Sequence, residues 1–115
     1  MTIFERVDAA LATLGTPYAC QVYKPASDGS LPPTFLVYFL VSSAAQQHAD
    51  DGETLRSNII QVSTYSRSGL VGLPNVDAAM KADGFIPAAK VQMPYDRETG
   101  YHGLAQDYEF LEEIS

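Results

Sequence analysis

The stretch that most constrains the fold is "FLVYFLV", residues 35–41. It is the longest apolar run in the chain, roughly a third of the length a membrane-spanning helix needs. Its β-branched and aromatic residues show no polar alternation, the pattern of a strand buried on both faces. The run therefore predicts a central strand over 34–42 with both faces covered. Such a strand needs partners beside it and layers above and below it, and the rest of the chain has to supply them.

Two helices are legible. Thr2 and Glu5 have the spacing of a capping box. Ile3, Val7, Ala10, Leu11 and Leu14 recur at helical spacing, which predicts an amphipathic helix over 3–14, ended by Gly15 and Pro17. A second helix is expected over 72–83, with Leu73, Val76, Ala79 and Met80 on its apolar side. In that reading Pro74 is tolerated because it falls in the first turn. Gly84 stops the helix.

The remaining strands are "YACQVY" at 18–23, "TLRSNIIQVSTYS" at 54–66, and two runs in the last third of the chain. In the 54–66 strand Ile60, Val62 and Thr64 point one way; Ile59, Gln61, Ser63 and Tyr65 point the other. That second, more polar face is the one left for solvent or a partner. "FIPAAKVQMPY" carries Pro87, which confines it to a sheet edge or starts it after the proline. "DRETG" at 96–100 is a turn by composition. The run after it pairs back, placing Leu104, Gln106, Tyr108 and Phe110 on one face. The segments 24–33 and 43–53 read as loops, the second long, polar and mobile. The sum is a single α+β domain over 1–115, a mostly antiparallel sheet with two helices packed on one face. Its size suits one core.

Charge narrows the partners. Seven basic residues face fourteen acidic ones, a net charge of -7. Scattered Lys and Arg argue against a surface that grips nucleic acid by its phosphates. Six of the fourteen acids lie at or beyond Asp96, against one basic residue, Arg97. They form either a solvated acidic tail or a surface that repels DNA or meets a basic partner. The start, "MTIFERVDAALATLG", has acids inside its apolar stretch, unlike a secretion signal.

Candidate chemistry is sparse. The lone Cys20 reads as an inert small apolar residue in a strand, and one cysteine cannot build an internal disulfide or a cysteine-based zinc site. His48 and His102 lack HxxxH or HExxH partners. His48 with Asp50 and Asp51 could ligate a metal only from a flexible loop, so no metal site is expected. Asp96 and Glu98 sit at a turn tip, where water should keep carboxylates at ordinary pKa values. There is no P-loop, GxGxxG or GxSxG. No catalytic, cofactor-binding or metal-binding residue is assigned, and the chain does not read as an enzyme. Seven tyrosines and no tryptophan are present, with Tyr65, Tyr95, Tyr101 and Tyr108 in the second half. They lean toward a contact surface.

Several ordered features carry a resemblance. They are "GTPYACQVY", the buried "FLVYFLV", "QHADD", "IIQVSTYSRSG", a helix ending in "DGF", and "YDRETGYHGLAQDYEF". Over nearly its whole length the chain resembles the tail-terminator and tail-completion proteins of long-tailed bacteriophages. Tyr95, Asp96, Glu98, Thr99, Gly100, Tyr101 and His102 match a "YDxETGLYH"-like hairpin. Ile60, Gln61, Val62, Tyr65 and Ser66 match an "IQVDIYS"-like strand, with a departure at Ser63, where Asp is common. The resemblance implies a structural virion protein of the tail or neck, assembled in the host cytoplasm. It implies a ring, typically hexameric, that caps the tail tube and meets the head connector, with DNA passing through the lumen unbound. Head completion is the neighbouring role. Acids from Asp96 onward, including Glu109, Glu112 and Glu113, would line that lumen. The competing reading is a small intracellular adaptor.

Overall fold

The computed structural model describes residues 2–49 and 52–113, with the backbone alone at 45–49, 52–54 and 113. Helix α1 spans Ile3–Ala12, and strand β1 spans Tyr18–Cys20. Strands β2 (Thr34–Ala49) and β3 (Gly52–Ser66) follow, then helix α2 (Val76–Ala82), β4 (Ile86–Met93) and β5 (His102–Glu113). The five strands form one sheet in the order β1-β2-β3-β5-β4. The β1–β2 pair is parallel and every other pair is antiparallel. The fold is α+β.

Local chemistry explains most boundaries. The Thr2 hydroxyl accepts from the Glu5 N–H at 3.2 Å, and the Glu5 carboxylate accepts from the Thr2 N–H at 3.0 Å. The capping box therefore closes, but α1 stops at Ala12, with Thr13 as its C-cap. Helix α2 is shorter than the sequence reading. Asn75 is its N-cap, accepting from the Ala78 N–H at 3.1 Å, so Pro74 lies before the helix and not in its first turn. Strand β1 ends at Cys20 because Gln21 takes a left-handed φ of 66° and the Val22 N–H turns back to the Cys20 carbonyl. Cys20 lies in a strand, as expected from the sequence, and is exposed at the sheet edge. Pro87 sits in β4, which is an edge strand as expected.

The core lies between the helices and one face of the sheet. Val7, Ala10 and Leu11 of α1 and Val76 and Met80 of α2 pack on Leu36, Tyr38, Ile60, Val62, Phe85 and Tyr108. Registers Leu36↔Thr64, Tyr38↔Val62 and Leu40↔Ile60 put these side chains on one face, and Ile60↔Tyr108 continues the row into β5. Each of the larger side chains contributes about 1.5–3 kcal/mol by leaving water.

Two expectations fail. The central strand is covered on one face. Leu36 and Tyr38 are buried under the helices, whereas Phe39 and Val41 are exposed. Both helices lie on one side of the sheet; on the other, Tyr23 packs on Phe35 and Pro32 meets Tyr101, and no helix lies there among the described residues. The segment 43–53 is also not a mobile loop. Apart from 50 and 51, which lie outside the described residues, it forms the far ends of β2 and β3, paired from Ser43↔Asn58 to Ala49↔Gly52. Backbone ladder bonds form this arm, and they do not depend on the apolar alternation that marks a strand in sequence. Register shifts between Leu40 and Ser42, and again from Ala45 to His48, bend it.

Candidate functional site

Alternation along the strands creates a second face, free of helices. Its rows follow from register. Phe35, Tyr65, Gly103 and Met93 lie side by side, then Val37, Ser63, Ala105 and Val91. Next come Phe39, Gln61 and Asp107, and then Ser42, Ile59, Glu109 and Ile86. On β3 and β5 the middle of the face is small at Ser63, Gly103 and Ala105 and polar at Gln61, Asp107 and Glu109, while Phe35, Val37 and Phe39 flank it on β2 and Met93, Val91 and Ile86 on β4. Phe39 is 36% exposed, Ile86 52% and Val91 59%. The 54–66 strand thus turns the face assigned to solvent or a partner away from the core, as the sequence indicated.

At one end this face closes into an aromatic cavity of about 220 Å3. Phe35 is its hub. Its ring stacks on Tyr65 at 5.2 Å between centroids, meets Tyr101 edge-on at 5.2 Å and Tyr23 at 4.9 Å. The Tyr101 hydroxyl donates to the Pro32 carbonyl at 2.5 Å, which fixes the ring and ties the 24–33 loop down. Gly103, without a side chain, lets Met93 close in beside it. A Cβ there would stand 2.5 Å from Met93 Cε and 3.5 Å from Tyr65 Cε1. Leu31, Pro94, Asp96 and Thr99 complete the lining.

The hairpin turn supplies the rim. The Asp96 N–H donates to the Tyr101 carbonyl at 3.1 Å, and the Gly100 N–H donates to the Asp96 carbonyl at 2.8 Å. The Thr99 side chain and the Glu98 N–H both donate to the Asp96 carboxylate, which holds its pKa below the usual carboxylate value. The expectation of an ordinary pKa at this tip fails for Asp96, because local turn bonds favour the charged form even in full solvent. Glu98 is exposed and does not line the cavity.

Other sequence candidates scatter. Tyr65 and Tyr101 meet in the cavity, Tyr95 lies 4.6 Å from the His102 ring, and Tyr108 is fully buried in the core. His48 pairs in the backbone with Glu53, with its side chain outside the described residues, as are Asp50 and Asp51. Among the described residues, no three His, Cys, Asp or Glu side chains gather as metal ligands. The late acids do not share a face. Glu109 pairs with Ile59 and accepts from the Ser57 hydroxyl at 2.6 Å on the open side, while Glu112, paired with Arg56, belongs to the helix side. A strand alternates, so Asp107 and Glu109 share the open face while Glu112 lies on the opposite one. The Glu113 side chain lies outside the described residues.

A polar cluster that sequence reasoning missed sits on the helix side, in a cleft of about 360 Å3. Asp77 accepts from Lys90 at 2.8 Å, Tyr108 at 2.5 Å and Gln106 at 3.3 Å. Lys90 and Tyr108 hold its pKa down, and burial followed by the Asp77 hydrogen bond pushes the Tyr108 hydroxyl up. The arrangement clamps α2 to β4 and β5. Its four partners satisfy one another and leave no nucleophile activated by a base. No helix among the described residues is long and apolar enough to cross a membrane. The chain matches no protein-family model and no curated protein sequence.

Proposed function

We propose that this chain is a structural subunit of virion assembly, acting as a ring that caps a phage tail tube and joins it to the head connector. The observation that carries the reading is the helix-free face of the sheet. It presents Phe39, Val91 and Ile86 to solvent beside an aromatic cavity, in a domain that spends both its helices on the opposite face. Several large apolar side chains left exposed on a face without a covering helix support a protein contact there. The sheet also offers free edges. Strand β1 covers β2 at Leu36–Tyr38, and β2 runs on to Ala49. Unpaired edges are a ready route to joining neighbours, and a heterologous contact between copies closes into a ring when its rotation allows. The hairpin and strand motifs that resemble tail-terminator proteins supply the remaining support. The role needs no catalytic residue, no cofactor and no metal, and DNA would pass the ring without specific contact.

The test is deletion of the gene from its phage or prophage, with negative-stain electron microscopy of the induced particles. Filled heads beside detached tails, some of abnormal length, are the expected outcome. Complete, normal particles would overturn the reading and leave an adaptor role in its place.

A further inference from the structure

The cavity at the end of the open face has a composition that selects its occupant. Tyr65 and Tyr101 offer ring surface around the Phe35 hub, with Gly103 in the same lining. Among the described residues, Asp96 is the one charged side chain lining the cavity. Its carboxylate is fixed in the turn by the Glu98 N–H at 3.0 Å and is fully accessible to water. An aromatic wall with an oriented carboxylate at the mouth is the chemistry that recognises an organic cation on an apolar stem. The cluster already shows this preference. The Arg67 guanidinium lies 4.8 Å from the centre of the Tyr101 ring, without itself lining the cavity.

We propose that this cavity captures a lysine or arginine side chain presented by a second, basic protein. A further copy of this chain is a poor source. Four of its seven basic residues are already engaged, Arg6 over Phe110, Arg67 over Tyr101, Lys90 on Asp77 and Arg56 on Ser43, which leaves Lys24, Lys81 and Arg97. The chain's net charge of -7 also sets copies against each other. The inference deepens the assembly reading by naming the chemistry of one partner contact. It rests on that reading only in that a partner exists.

The experiment is a titration of the isotope-labelled protein with n-butylguanidinium and with its neutral isostere n-butylurea, followed by amide shifts at Tyr65, Tyr101 and Gly103. Saturable shifts with a millimolar Kd are expected for the cation, with butylurea about threefold weaker, the size of an exposed charge contact. Asp96→Asn keeps the acceptor for the Glu98 N–H and should abolish the difference between the two probes. Tyr65→Leu keeps apolar volume, removes the ring, and should weaken the cation more than the urea. Absence of saturable shifts in the wild type, or equal affinity for both probes, overturns the proposal. So do the same shifts appearing on raising protein concentration alone, which would place a second copy in the cavity. None of these outcomes depends on whether particles assemble, so failure here and failure of the ring reading are separable.

Discussion

Gly103 and Asp77 show how single residues on opposite faces of the sheet do different work. Gly103 is in an ordinary strand, and its lack of a side chain matters because Met93 fills the place a Cβ would take. Gly103→Ala should lower stability by about 1 kcal/mol, since the end of the Met93 side chain can swing away but its Cβ, 3.2 Å from the new methyl, cannot. Truncating Met93 in that background should recover part of the loss, a coupling that a urea-denaturation cycle would measure. Additive losses would refute the clash. Asp77 carries three hydrogen bonds from Lys90, Tyr108 and Gln106. Its folded pKa lies below its ordinary 3.8, so the stability it confers is present above that value and fades as pH falls through the folded one. Asp77→Asn should cost about 1–2 kcal/mol at neutral pH, because a charge-assisted acceptor becomes a neutral one. The variant should also lose stability less steeply than the wild type below about pH 4, a difference read from unfolding midpoints across the acid range.

At the scale of elements, the β2–β3 pair divides into two parts. From Leu36 to Leu40 its inner face is packed under α1 and α2. From Val41 onward β2 runs roughly 30 Å further as the edge of a ladder with β3, interrupted by register shifts. Ladder bonds without a covering layer open more easily. Amides of Ala44–Ala49 should therefore exchange with deuterium at least roughly tenfold faster than those of Leu36–Leu40. Equal protection would mean that the arm is held by something beyond its own hydrogen bonds. The helices show the reverse dependence on local chemistry. Thr2→Ala should cost about 1 kcal/mol, measured by thermal unfolding, because it removes half of a closed capping box. Helix α2, seven residues long, relies instead on Val76 and Met80 in the core and on the Asp77 clamp.

For the molecule as a whole, the two faces of the sheet are unequal by construction. One is closed by both helices and the other carries none among the described residues. Its 54 × 27 × 23 Å extents reflect strands that outrun the helices laid on them. Phe39→Lys with Val91→Lys should leave the isolated domain within about 1 kcal/mol of the wild type, since both side chains already meet water. In an infected cell the same pair should abolish particle assembly, scored by electron microscopy and plaque counts. Normal assembly by this variant would show that the open face is not the contact surface.

What the sequence determined by itself is whatever depends on neighbours within a few residues. The capping box of α1, the turn at 96–100, the edge position forced by Pro87 and the two-sided split of the 54–66 strand all rest on local sterics, local hydrogen bonds or period-two alternation. The sheet order was not among them. That β5 inserts between β3 and β4 and leaves Phe39 and Val41 of "FLVYFLV" uncovered depends on which long-range pairings the helices permit. An apolar run looks the same whether its second face meets a helix or a partner. The far arm of β2 and β3 was hidden for a related reason: its small and polar residues carry no apolar pattern, and only the pairing of backbone with backbone makes them strands. The aromatic cavity joins residues 31, 35, 65 and 101, and the Asp77 clamp joins residues 77, 90, 106 and 108. Distances of that kind along the chain are closed by tertiary structure alone.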